Sequence, residues 1–309
     1  LPKNLGSSNV VKEASGLQFE DSIDAILPAM SGTDFVGILA NGKMFRGNAN
    51  SKGQNHWFET DTYSLDYSLV TSNHQMVKGS FSGSDWNQDE YESYVNRSKE
   101  KLSLMERKPI KIKTGDYRTW FESAAVSDFL GMFSWNGISE ASLRQGCSGF
   151  GKMRHNDARL SPKFSVIEDF SPGYCPKFNS DGEVAPDELA LIEAGKLKNT
   201  LISSRSAKEY GLQSNYAENG EFLRSPRMAI GNLNQNDVVK ELDRGLFLSN
   251  IHYLNWSDNP GGRITGLTRY ACFWVEGGEI VAPIETMRFD DSFYRFFGDQ
   301  LSEVEDRLY

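Results

Sequence analysis

Only three cysteines, Cys147, Cys175 and Cys272, and four histidines, His56, His74, His155 and His252, occur among the 309 residues. The cysteines are odd in number and widely spaced, which excludes a disulfide framework and a CxxC metal knuckle. Three reduced thiols are the remaining reading, the pattern of a cytoplasmic protein. No two histidines lie one helical turn apart, so paired imidazole ligands are missing, and isolated histidines are commonly surface or hydrogen-bonded structural residues. No apolar run approaches the roughly 18 to 20 residues of a membrane span. Positive charge is also short: 33 Lys and Arg face 42 Asp and Glu, for a net −9. That balance argues against neutralising phosphates over a broad surface, and so against direct nucleic-acid binding. There is no Gly-x-Ser-x-Gly elbow. Gly146-Cys147-Ser148-Gly149 is a glycine-flanked thiol close in sequence to His155, but loop flexibility explains it equally well. No signal peptide is visible, and the first residue is Leu1.

What is present reads as an α+β chain of one large or two moderate domains. Ile23, Ile26, Leu27 and Met30 predict a short helix over residues 20 to 30, with Pro28 near its end. Strands follow at Phe35–Leu39, Met44–Asn48, Trp57–Val70 and Gln75–Phe81. In the third of these Tyr63, Leu65, Tyr67 and Leu69 alternate with polar residues, as in an antiparallel meander with one wet face. Asp85 and Gln88 fit the start of a helix carrying Tyr91, Tyr94, Val95, Leu102 and Met105 at helical spacing, and that helix is expected to pack on the meander. Glu106–Pro109 is charged and ends in proline, the best candidate linker, so residues 1–106 and 107–309 are the expected domains. The second opens with a strand at Asp116–Glu122 and a helix at Ala124–Phe133, then a Gly- and Ser-rich loop to Gly151. Strands near Phe164–Glu168 and Lys196–Ser203 come next, then a helix with Ser204 as N-cap and Gly211 past its end, and another over Asp237–Arg244 stopping at Gly245. A strand at Leu246–Leu254 leads to a hairpin of Tyr270–Val275 and Glu279–Ile284, for which Gly277-Gly278 supplies positive φ. Phe293, Phe296, Phe297, Val304 and Leu308 suggest a last helix.

Two stretches carry a family signature. Phe178–Ser214 reads FNSDGEVAPDELALIEAGKLKNTLISSRSAKEYGLQS and residues 261 to 289 read GGRITGLTRYACFWVEGGEIVAPIETMRF. In this order and at this distance they resemble the TldD/PmbA family, over nearly all of this chain but only part of the family's length. Ala49-Asn50-Ser51-Lys52-Gly53 resembles the family's Asn-Ser-x-Gly turn, and Asp169 with Asp181-Gly182-Glu183 its acidic segments. Both also have plain explanations, because turns demand such residues and loop carboxylates are usually solvated. Glu168 and Asp169 would point to opposite sides of a strand and make a poor acid/base pair.

The resemblance implies a cytosolic peptidase assembly that processes unfolded peptides, matures peptide antibiotics and has been labelled a modulator of DNA gyrase. Its catalytic branch holds zinc on a His-Glu-x-x-x-His helix. That helix would follow the strand near Tyr117–Glu122, where this chain reads SAAVSDFLGMFSW without histidine. The similarity is therefore to the PmbA branch, also called TldE. The resemblance then implies no cofactor in this chain, zinc in a TldD-like sister subunit, and an unfolded peptide as substrate. Cys272 does not match the family's C-terminal cysteine ligand and is expected to be a buried strand thiol. Arg263, Thr265 and Arg269 precede the hairpin where family members present a polar segment. There they could orient a peptide's carboxylate or carbonyls, or simply form a solvated strand end. Two rival readings are a self-sufficient metallopeptidase with dispersed ligands and a non-enzymatic homodimer that binds peptides or modulates gyrase.

Overall fold

The computed structural model describes residues 5–18 and 20–306. It begins with β1 (Ser7–Lys12), α1 (Ser22–Met30), β2 (Asp34–Ala49), β3 (Asn55–Val70), β4 (Met76–Gly83) and α2 (Gln88–Met105). β3 is the centre of a four-stranded sheet. β2 pairs antiparallel with its whole length, while β1 (parallel) and β4 (antiparallel) share its other edge end to end. The break expected between Phe35–Leu39 and Met44–Asn48 does not exist. Asn41-Gly42 continues in register opposite Tyr63 and Thr62, and Gly42 takes a φ of +146° inside the strand rather than turning the chain. A sixteen-residue partner strand templates the pairing across a dipeptide that alone favours a turn.

Burial along β3 alternates, but the phase changes midway. His56, Phe58 and Thr60 are buried at one end, and Tyr63, Leu65, Tyr67 and Leu69 at the other, so opposite faces are covered at the two ends. Leu65, Tyr67 and Leu69 of the second set pack with Tyr91 and Val95 of α2 and with Ile26 and Met30 of α1, as the meander and helix patterns predict, and Tyr63 packs on Phe81 and Trp86. The cap of α2 is Asn87, whose side chain accepts from Glu90 N, while Asp85 instead accepts from Ser15 N and Oγ. The same core cluster continues past residues 106–109 to Phe247, Phe273 and Val275, so apolar packing is continuous across that segment.

The chain then forms β5 (Thr119–Phe121), α3 (Ser123–Met132), α4 (Glu140–Arg144), α5 (Gly151–Arg154), β6 (Val166–Asp169), β7 (Glu188–Glu193), β8 (Lys196–Leu197), α6 (Ser204–Tyr210) and β9 (Pro226–Met228). The helix expected over 124 to 133 is α3. The Gly- and Ser-rich loop expected up to Gly151 instead holds the short helix α4 and leads directly into α5, with Ser148 and Phe150 buried, because Ser148 Oγ donates to Gly137 O and Phe150 stacks edge-on against Phe133. Within Lys196–Ser203 only the first two residues are strand, and β7 was not anticipated. Ser203, one residue before the expected position, caps α6, and Gly211 ends it at φ +67°.

α7 (Val238–Leu242), β10 (Gly245–Asp258), β11 (Arg263–Glu276), β12 (Glu279–Pro283), β13 (Arg288–Ser292) and α8 (Phe293–Phe296) complete the chain. α7 is stopped by Asp243 at φ +54°, and Gly245 begins a strand instead. The hairpin of β11 and β12 forms where expected, with Gly277 and Gly278 at +63° and +73°. The final helix is one turn long; Val304 lies outside it and Leu308 outside the described residues. A five-stranded sheet runs β12-β11-β10-β5 with β13 beside β11, and a four-stranded sheet runs β8-β7-β6-β9. The architecture is α+β with mostly antiparallel sheets, as read from the sequence.

Two buried carboxylates brace the region around α4. Glu221 accepts from Ser139 Oγ, Ala141 N, Ser203 N and Ser203 Oγ, tying the starts of α4 and α6 together. Glu140 accepts from Arg144, Arg154 and Thr200. Burial alone would raise its carboxyl, but the Arg154, Thr200 and Arg144 hydrogen bonds outweigh burial and hold it at about 2. A depressed carboxyl stabilises the fold above its unfolded value and loses that contribution as pH falls. Chemical denaturation is therefore expected to show stability declining from about pH 4.5 toward pH 2, with a shallower decline in Glu140→Gln. Glu221→Ala, which strands four buried donors, is expected to cost about 3 kcal/mol in the same assay.

Candidate functional site

A cavity of about 1180 Å³ opens between the N-terminal sheet and the C-terminal elements. One wall is a row across that sheet, Ala40–Met44 of β2, Thr62–Ser64 of β3, and Ser82 and Gly83 of β4, at the point where the burial phase of β3 changes. The facing wall is β5 with one side of α3: Ser123, Val126, Ser127 and Leu130, at the i, i+3, i+4, i+7 spacing of a single helix face. Asp169 and β9 form a third side, and Phe297 and Leu301 add apolar surface.

Two of these walls are strand edges. β5 is bonded to β10 through Arg118 O and Glu122 N, so by strand alternation the backbone groups of Thr119 and Phe121 face away from β10. β9 is bonded to β6 through Ser225 O and Ala229 N, which turns Met228 and the Pro226 carbonyl outward. Pro226 has no N–H to lose and fits an edge position. Among the described residues these outward backbone groups have no backbone partner, and they lie beside an apolar surface, an arrangement suited to an extended peptide.

Asp169 is buried at the rim. It accepts from Ser171 Oγ and N and from Arg227 Nε at 2.7 Å, and the Ser171 hydrogen bonds, with Arg227 assisting, hold its carboxyl below the usual range against burial. Glu168 accepts from the backbone N–H of Arg224 and Ser225, burial pushes its carboxyl up, and it does not line the cavity. The two carboxylates therefore form no acid/base pair, as their strand positions predict.

The structure places Arg263, Thr265 and Arg269 elsewhere. Arg263 pairs with Asp290, Thr265 donates to Phe289 O, and Arg269 contacts His252 while its guanidinium lies over Tyr270. Residues 263 to 267 of β11 have β10 on one side and β13 on the other, and none of the three side chains lines the cavity. The two family-like loop motifs do meet. Asn48 Nδ2 donates to Ser180 O and Gln54 Nε2 to Asp181 O, clasping the β2–β3 turn to the segment around Gly182. A side chain at Gly182 would strike Gln54, so the contact requires glycine there.

His56 is buried, stacked on Phe178 and bonded to Ser8 Oγ at 2.8 Å; His74 sits in the β3–β4 turn; His155 ends α5. Among the described residues no three or more His, Cys, Asp or Glu side chains are arranged to hold a metal ion. The face of α3 toward the cavity carries only serine hydroxyls as polar groups. No helix among the described residues is long and apolar enough to cross a membrane.

The model of the PmbA/TldA metallopeptidase C-terminal domain matches residues 114–309. The chain belongs to that family. The match takes in β5, α3 and β9, and so two of the cavity's three sides, while β2 to β4 precede it. A solved structure described as a candidate modulator of a DNA gyrase from Thermotoga maritima superposes with TM-score 0.75 at 17% identity, over 94% of this chain and 72% of that one. TldE from Thermococcus kodakarensis gives 0.71 at 18%, over 93% and 68%. A candidate modulator of DNA gyrase from Bacteroides thetaiotaomicron gives 0.71 at 14%, over 91% and 65%. At such identities the likeness is one of fold. No curated protein matches the chain.

The cysteines of this PmbA/TldA family member differ in access. Cys147 is exposed, Cys175 half-buried, and Cys272 buried in β11 as expected, with burial pushing its thiol up to about 11. A chromogenic disulfide reagent at mildly alkaline pH is expected to label Cys147 rapidly and Cys272 only after unfolding. Rapid loss of the Cys272 thiol from folded protein, read by peptide mass mapping, would contradict this burial.

Proposed function

We propose that this chain is a PmbA/TldE-type subunit that holds an extended peptide in the cavity, while a zinc-bearing sister of the family hydrolyses it. The reading rests on one observation. The α3 face that lines the cavity carries Ser123, Val126, Ser127 and Leu130, with no metal ligand, yet two strand edges and an apolar wall still border the same space. A peptide entering there could pair its backbone with Thr119 and Phe121 or with Met228, and lay side chains against Trp120, Val126 and Leu130. The fold of TldE from Thermococcus kodakarensis, shared over most of the chain, is compatible with this reading. The net charge of −9 favours peptide over direct DNA contact.

The test is reconstitution. Casein hydrolysis is expected from a mixture of this chain with a family member of the same genome that carries the His-Glu-x-x-x-His helix, and only background hydrolysis from this chain alone. Val126→Arg, which intrudes into the cavity, is expected to lower the mixture's activity by about tenfold or more without preventing co-purification. Hydrolysis by this chain alone with one zinc bound per chain, or failure of the two proteins to associate, would overturn the proposal.

A further inference from the structure

The irregular part of the β10–β11 ribbon gathers a cluster of side chains apart from the cavity. Tyr253 and Tyr270 lie in two places where the register slips, at φ of +50° and +64°, a backbone that bulky residues rarely take. Between the slips Arg269 is opposite Asn250 and His252 opposite Leu267, so Arg269 and His252 are diagonal neighbours on one side of the pair. The other side is core, with Ile251 and Thr268 buried. A terminal nitrogen of Arg269 donates to His252 Nε2 at 2.5 Å. Because a guanidinium can only donate, the contact holds the imidazole neutral with its proton on Nδ1. The guanidinium also lies over Tyr270, 5.0 Å from the ring centre, and the Tyr253 ring is centred 4.2 Å from the imidazole while the residue itself is 75% exposed.

We propose that Arg269 and Tyr253 form a second binding site, with His252 positioning the guanidinium, for a ligand that joins a carboxylate to an aromatic ring, as the C-terminal aromatic residue of a peptide does. Among the described residues Arg269 has no carboxylate within ion-pair distance, although the chain carries a net −9. Its contacts are a neutral imidazole and a ring, which fix the plane of the guanidinium and leave its charge uncompensated. The guanidinium nitrogens that His252 does not use match the two oxygens of a carboxylate, and the exposed Tyr253 ring offers a face to the ligand's ring. Asp128 of α3 interacts electrostatically with His252 and with Lys78 of β4, and forms an ion pair with neither. A carboxylate at that range repels a phosphate dianion more than a carboxylate monoanion. Asp128 is two residues from both Val126 and Leu130, on the side of α3 away from the cavity. Neither it nor Lys78, His252, Tyr253 or Arg269 lines the cavity.

The site does not depend on the peptide reading of the cavity, and binding is measured on this chain alone. Calorimetric titration with N-acetyl-phenylalanine is expected to saturate at roughly millimolar concentration or below. N-acetyl-phenylalaninamide and inorganic phosphate are expected to bind about tenfold more weakly or worse. Arg269→Ala should lower the affinity by about tenfold or more, and Tyr253→Gly, whose φ suits glycine, by about threefold without loss of thermal stability. His252→Ala should also weaken binding, while His252→Gln, which keeps an acceptor for the guanidinium, should restore most of it. Arg263→Ala, outside the cluster, should bind as the wild type does. The ring-proton resonances of the wild-type chain cover the case in which a variant misfolds: of the four histidines, the titration is expected to move that of His252. Binding that does not saturate, equal affinity for the amide, tighter binding of phosphate, wild-type affinity in Arg269→Ala, or an unmoved His252 resonance would each overturn the proposal.

Discussion

The change of burial phase within β3 is the constraint on which the rest of the molecule depends. A strand covered on one face can keep a single alternation from end to end, but β3 is covered on one face by α2 and on the other by the segment around Phe178. Between Thr60 and Tyr63 the chain must hand its buried side from one face to the other. At that handover neither face can be closed by the packing at either end, because each cover stops there. Thr62–Ser64 consequently line an open space, and the cavity follows from how the two halves of the protein are sewn to one strand.

This also explains how much of the fold was legible in the sequence. Tyr63, Leu65, Tyr67 and Leu69 announce their strand because their cover, α2, follows closely in the chain and carries its own helical pattern. The phase of His56, Phe58 and Thr60 could not be interpreted alone, since its cover lies more than a hundred residues away. The hairpin at Gly277-Gly278 is a local turn and was readable as one. β9 is three residues long and opens with Pro226, which suits a strand edge but leaves too short a run to show a strand pattern.

The candidate site was less legible for a related reason. Arg263, Thr265 and Arg269 drew attention as polar groups near a strand, but whether a strand has an open edge depends on what the rest of the chain lays beside it. β13 occupies that edge, and it leaves the open ones on β5 and β9. Glu140 and Glu221 were unreadable for the opposite reason. As isolated carboxylates they look like surface charge, yet each is buried and fully used, Glu140 by two arginines and a threonine and Glu221 by two serines and two backbone N–H groups. Their cost of desolvation is offset only because several distant donors converge.

Backbone strain is distributed in a way that separates the site from the scaffold. Tyr253 and Tyr270 hold φ of +50° and +64°, conformations costly for aromatic residues, at the irregular register between β10 and β11. Each sits where an extra residue shifts the alternation of a long strand, a bulge that lets one ribbon serve two environments. The upper part of that ribbon is core, with Phe247 and Phe273 packed toward α2, and the lower part carries β13 and leads into α8. The cavity walls, by contrast, contain no strained non-glycine residue: Thr119–Phe121, Pro226–Met228 and Ala40–Met44 have ordinary backbone apart from Gly42. On the proposed reading, pairing with an extended peptide through backbone groups gains from regular strands whose unpaired N–H and C=O groups keep the spacing of a sheet. The irregularity is therefore confined to the β10–β11 ribbon, and the strand edges at the cavity stay regular enough to take another strand.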